Sequence, residues 1–231
     1  MKKVNVKDIG LGVLALLSYF ILSMIETLPF DIMNLDINSL PSFVKITYLL
    51  IYEILVIAIM LLIFNKKIVK DFNDIIEHHK EYFSKCINYY LIGLAVMLIS
   101  NAFAIFVVNG SIAGNEEAIR ELFKVSPLYI YLSSVIYAPI VEELVFRQGV
   151  RNVVGKNYLF VLVSGLLFGS LHVITSMNGI ADLIYIIPYS SLGVAFAYML
   201  YKYDNIFISM GFHFMHNGIL IALQFLVLLF S

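Results

Sequence analysis

The chain has no tryptophan, one cysteine and few charges, and each shortage excludes something. Cys86 alone cannot close an intrachain disulfide or build a thiolate metal cluster, and it reads as a small apolar filler at a helix end. Charged residues make up 13% of the 231, against about 25% in soluble domains, so a soluble core cannot account for the composition. A net charge of −1 argues against a nucleic-acid partner. Without tryptophan, the interfacial aromatic belt falls to the 15 tyrosines, among them Tyr89, Tyr90, Tyr129 and Tyr131.

What is present is apolar surface. Hydrophobic residues reach 61% and mean hydropathy is +0.92, which implies an all-α, polytopic integral membrane helix bundle in the lipid bilayer. A span needs about 20 mostly apolar residues, and by that measure seven transmembrane helices are expected, over 9–28, 43–64, 86–108, 127–150, 158–176, 180–201 and 206–230. The first follows Lys2, Lys3 and Lys7 like a secretory signal, but it is too long and lacks a small-x-small cleavage site, so it reads as a retained span. The stretch Asn65 to Lys85 mixes five lysines with Asp71, Asp74, Glu77 and Glu81 and predicts an amphipathic surface helix with His78 and His79 solvated. Residues 109–126 predict a short mixed-charge helix. With no internal repeat or linker, 1–231 reads as a single membrane domain.

Basic residues set the expected orientation. An inward amino terminus places Lys2, Lys3, Lys7, the five lysines of 65–85, Arg151, Lys156 and Lys202 on the cytoplasmic side, leaving Lys45, Arg120 and Lys124 outside. The positive-inside rule then puts the carboxyl terminus outside.

The fourth span contains Tyr137-Ala-Pro-Ile-Val-Glu-Glu-Leu-Val-Phe-Arg147. An ion at the centre of a membrane helix costs roughly 2.5 kcal/mol or more, so adjacent carboxylates there point to chemistry or a substrate path. In α-helical geometry Glu143 and Arg147 share a face and can pair. Glu142 projects about 140° away from Arg147 and faces a cavity without a local counter-ion, the setting of a general acid or base. His172 lies in Phe168-Gly-Ser-Leu-His172 of the fifth span. In the seventh, His213 and Asn217 project together and can donate to an oxyanion, while His216 falls on an adjacent face as a packing residue. Gly211 and Gly218 are positions where another helix can approach closely.

Glu142-Glu143-x-x-x-Arg147, Phe168-x-x-x-His172 and His213-x-x-x-Asn217, in that order on three apolar spans, resemble the CAAX-prenyl protease and bacteriocin-processing family, also called Abi or Rce1-like (CPBP). The resemblance covers residues 127–220, a catalytic core; 1–108 are accessory spans without a signature. It implies an intramembrane endopeptidase acting on a membrane-associated protein or peptide substrate. Glu142 and His172 would activate water, and His213 with Asn217 would stabilise the oxyanion. Glu143, Arg147 and Phe168 would be structural or substrate-orienting. The same family includes proteins credited with bacteriocin self-immunity, so a non-enzymatic immunity or scaffold protein is the alternative.

Glu142, His172 and His213 also form a two-histidine, one-glutamate set that suits catalytic zinc. His-Glu-x-x-His is absent, and Glu143, held by Arg147, would have to act as base. A mechanism without cofactor is therefore favoured, with zinc as the alternative. The predicted boundaries leave a mismatch, since Glu142 and His213 fall about 11 Å into their spans and His172 about 21 Å. Glu53, in mid-span, is expected to find a structural partner such as Asn101 or a backbone group. Pro139 is expected to loosen its helix, and Pro188 to do likewise in the sixth span.

Overall fold

The computed structural model describes residues 5–230, apart from the Asn38 side chain; Lys2 and Lys3, counted above among the inward cations, lie outside that range. Helices α1 (Val6–Ile25), α2 (Leu28–Ile32), α3 (Ser42–Ile63), α4 (Asn65–Val107) and α5 (Gly114–Val125) form the first half. The second half is α6 (Pro127–Val154), α7 (Tyr158–Ile174), α8 (Ile186–Tyr203), led in by a 3₁₀ turn over Ile180–Tyr185, and α9 (Ile206–Phe230). No strand occurs among the described residues. Six helical stretches are long and apolar enough to cross a membrane, and α7 is a shorter apolar helix.

The outer helices turn large apolar side chains outward, including Leu17, Ile54, Ile99 and Leu229. In water such a surface would aggregate; in lipid it is the solvent-facing side. The packed interior is built from α6, α7 and α8, whose Leu144, Phe146, Phe160, Phe196 and Leu200 are almost completely enclosed.

The separate surface helix predicted for 65–85 is instead the first half of one 43-residue helix, α4. The reason is local. No proline or glycine interrupts the chain from Asn65 to Ile92, and Lys67–Asp71, Asp74–His78 and Glu81–Lys85 are ion pairs one turn apart. At 1.5 Å per residue α4 is about 65 Å long, roughly twice a hydrocarbon core, so it extends well beyond the bilayer. Cys86 is correspondingly buried in mid-helix, in a cluster with Tyr90, Phe196 and Phe212, and not at a helix end.

Close helix approach occurs where the sequence reading did not place it. A Cβ on Gly211 would meet nothing within 4 Å, and one on Gly218 would meet only Val135 Cγ1 at 3.8 Å. One tight crossing is α7 against α8: a Cβ on Gly165 would lie 2.8 Å from the Val194 nitrogen, and one on Gly169 2.7 Å from the Ser190 nitrogen. Pro188 is the third residue of α8, where no intrahelical N–H is required, so it does not disturb that helix.

Pro139 does act on its helix. The turn before it, Leu132–Tyr137, is widened to π geometry, with the Ala138 N–H reaching back to the Ser133 carbonyl. A second π stretch covers Glu143–Gly149 and closes with the Val150 N–H on the Val145 carbonyl. Such widened turns are rare and often mark functional positions.

Candidate active site

The two π stretches flank Glu142, and the second contains both Glu143 and Arg147. Glu143 and Arg147 have no exposed side-chain surface, and Arg147 Nε lies 3.3 Å from Glu143 Oε2. Two enclosed ions in a membrane bundle survive only as a pair with further polar contacts. Ser164 of α7 supplies them: its carbonyl and Oγ lie 3.4 and 3.3 Å from Arg147 Nη1. The Phe168 ring lies under the guanidinium at 4.4 Å.

Glu142 has a different environment. Its Oε1 is 3.8 Å from His172 Nε2 and its Oε2 is 3.7 Å from His213 Nε2. Three helices thus converge on one carboxylate, which keeps 16% of its side-chain surface exposed, as against none for Glu143.

Each imidazole is anchored on its far side. His172 Nδ1 lies 2.9 Å from the Phe168 carbonyl, which only accepts, so Nδ1 carries the proton and Nε2 faces Glu142. His213 Nδ1 lies 3.1 Å from Glu143 Oε1. The carboxylate held by Arg147 accepts there, and His213 Nε2 also faces Glu142.

The predicted depth mismatch disappears for two reasons. α6 runs to Val154, so Glu142 is about 18 Å from its end, close to the 21 Å of His172 along α7. α9 starts inside the protein: Ile206 is fully buried, and its N–H donates to Asp71 Oδ2 of α4 at 2.8 Å. An inset start places His213 level with the other two.

Asn217 lies one turn beyond His213 and, among the described residues, makes no hydrogen bond to Glu142 or His172; its Nδ2 donates to the Ser134 carbonyl at 2.7 Å. His216 is set apart, buried against α4 with the Tyr90 hydroxyl 3.2 Å from Nδ1. Glu53 accepts from Ser133 Oγ at 2.6 Å and from the Tyr129 hydroxyl at 3.2 Å, so its partners come from α6 and not from Asn101.

Two ring contacts had no sequence signal. Tyr189 stacks on His172 at 5.1 Å and Phe196 stacks on His213 at 5.2 Å. Both rings come from α8, which carries none of the recognised motifs, and in an aromatic-rich chain nothing singles them out.

Among the described residues, no group of three or more His, Cys, Asp or Glu side chains is placed to hold a metal ion as the structure stands; Glu142 lies 3.8 Å from His172 and 3.7 Å from His213.

Residues 124–219, which supply every group of this site, match the family model described as "Type II CAAX prenyl endopeptidase Rce1-like". The "UPF0177 protein YvdC" of Lactococcus lactis is 29% identical over 141 residues, covering 58% of this chain and 52% of the relative. The "Putative membrane peptidase YdiL" of Bacillus subtilis is 27% identical over 150 residues, covering 58% of each. The chain spans little more than half the length of the curated relatives it matches. No solved structure matches it. Through the segment that builds the site, this integral membrane protein is similar to the Rce1-like family of type II CAAX prenyl endopeptidases.

Proposed function

We propose that the protein is an intramembrane endopeptidase in which Glu142 activates the attacking water. The observation that carries this reading is a single carboxylate whose two oxygens each face the Nε2 of a histidine from a different helix. Separations of 3.7–3.8 Å are too long for direct hydrogen bonds and suit a bridging water. A water donating one proton to Glu142 and one to His172 Nε2 keeps an oxygen lone pair for the scissile carbonyl carbon. On attack Glu142 takes the proton, the carbonyl oxygen becomes the oxyanion, and Glu142 returns the proton to the departing amine as the C–N bond breaks.

His213 is the proposed oxyanion donor. With Nδ1 bonded to Glu143, the doubly protonated ring would turn its Nε2–H toward the reaction centre and donate to the oxyanion. Asn217 spends one amide proton on Ser134 and keeps the other for the same oxyanion. The substrate is a membrane-associated protein or peptide, which the position of Glu142 deep in α6 favours.

Zinc is the second reading. Glu142, His172 and His213 would hold it, and it would polarise the carbonyl and lower the pKa of a bound water. It would use Glu142 as a ligand and leave Glu143 as the base. Glu143 is fully enclosed between Arg147 and His213, which argues for the reading without metal.

The test is cleavage of a membrane-proteome or peptide library by detergent-purified protein, with wild type beside Glu142→Gln. Products made only by wild type are expected. Equal, empty digests from both would favour a non-enzymatic immunity or scaffold role on the same fold.

A further inference from the structure

A cation-lined cleft of about 1070 Å³ opens at the end of the bundle where α1 begins, α3 turns into α4, and α6 passes to α7. It contains none of Glu142, His172 or His213. Six lysines and arginines line it against two aspartates. Lys67 and Arg151 are neutralised at Asp204, 3.2 and 2.6 Å away, and Lys67 also pairs with Asp71. Among the described residues, no ion pair neutralises the remaining cations of the lining, Lys7, Lys66, Lys70 and Lys156. Four ammonium groups, with Asp8 as the one remaining carboxylate of the lining, leave a net positive cleft whose charges repel one another, and an anion placed among them removes that cost.

Gln148 gives a second, independent sign of a ligand. It is 4% exposed and lines the cleft; its Nε2 donates to Asn152 at 2.7 Å, and its buried Oε1 has no partner. A buried acceptor without a donor costs about 1–3 kcal/mol, so a hydroxyl from a ligand would be held there.

The walls indicate where the ligand comes from. Leu14 and Leu62 also line the cleft, and they are 50% and 70% exposed on lipid-facing sides of α1 and α3. One opening therefore joins a cationic interior to an apolar flank, which matches an amphiphile better than a free ion. We infer that this cleft binds an anionic phospholipid of the adjacent leaflet, its phosphate among Lys66, Lys70 and Lys156, a headgroup hydroxyl on Gln148 and its acyl chains along Leu14 and Leu62. Interhelical basic pockets at the membrane surface are suited to such headgroups.

The inference is independent of the catalytic reading and is tested without it. Native mass spectrometry of the full chain, exchanged from vesicles of phosphatidylglycerol and phosphatidylcholine in equal parts, reads lipid retention directly. Wild type should keep phosphatidylglycerol at least 10-fold over phosphatidylcholine. Lys66→Gln/Lys70→Gln/Lys156→Gln should fall to near parity, and the corresponding triple Arg variant should recover the preference. Lys66→Gln/Lys70→Gln, at two exposed positions of α4, gives the same reading if the triple variant does not fold. Equal retention by wild type and either Gln variant would overturn the proposal. Displacement of the lipid by millimolar inorganic phosphate would make this a free-anion site and would also overturn it.

Discussion

His213 and Glu143 are joined through the imidazole Nδ1 and the carboxylate Oε1 at 3.1 Å, and that contact places both adjacent glutamates on one ring. Glu142 faces Nε2 of the same imidazole from 3.7 Å. The α-helical expectation separates the two acids by about 100°. The π turn beginning at Glu143 brings both to bear on α9. One carboxylate orients the ring, and the other shares its reactive side.

Glu142→Gln should abolish cleavage with folded yield intact, because it keeps shape and removes only the proposed base. Glu143→Gln or Arg147→Ala should lower folded yield, since breaking a fully buried pair costs about 3–5 kcal/mol. Detergent gel filtration beside the cleavage assay separates these outcomes. A folded, inactive Glu143→Gln together with an active Glu142→Gln would reverse the assignment.

Helix packing gives a contrast between two glycines. Gly169→Ala presses a Cβ against backbone atoms of α8 and should destabilise by about 1–3 kcal/mol. Gly211→Ala enters open space and should be neutral or mildly stabilising, because alanine is the better helix former. Thermal melts of the two variants, run together, give the comparison.

Metal dependence divides the two mechanisms. Without metal, dialysis against a strong chelator should leave most activity, and zinc should be well below one per chain. His213→Ala should then cost about 10²–10³ in rate through the lost oxyanion donor. Tightly bound stoichiometric zinc, whose removal silences wild type and whose return restores it, would overturn this.

Orientation is read by labelling intact cells with an impermeant thiol reagent in a Cys86→Ala background. Glu117→Cys on α5 should react and Asn73→Cys on α4 should not, as both side chains are exposed. The opposite pattern would invert the protein.

Asp204 supplies a pH prediction outside the spans. Burial raises its carboxyl, but hydrogen bonds and charge from Arg151 and Lys67 prevail and hold it down, from 3.8 to about 2. A depressed carboxylate contributes its stability above the ordinary value and loses it as pH falls toward 2. Asp204→Asn should flatten the stability profile between pH 4 and 2, measured by melting temperature. Asparagine tolerates the left-handed backbone at that position, where φ is 56°, so the substitution isolates the charge.

The membrane class, the helical architecture and the Glu143–Arg147 pair were legible in the chain, because composition and one-turn spacing are local properties; Glu142, His172 and His213 became candidates as one set through the family resemblance. α4 was misread at its middle, since a change from charged to apolar residues suggests a boundary that an uninterrupted helix need not have. The partners of Glu53, the α7–α8 crossing at Gly165 and Gly169, and the rings stacked on the two histidines depend on which helices become neighbours. No spacing within one helix encodes that. Depth was likewise decided in three dimensions: α9 begins inside the protein because Asp71, 135 residues earlier, accepts its first N–H. The sequence determined which groups could do chemistry, and tertiary packing set the 3.7 and 3.8 Å separations that bring them to one carboxylate.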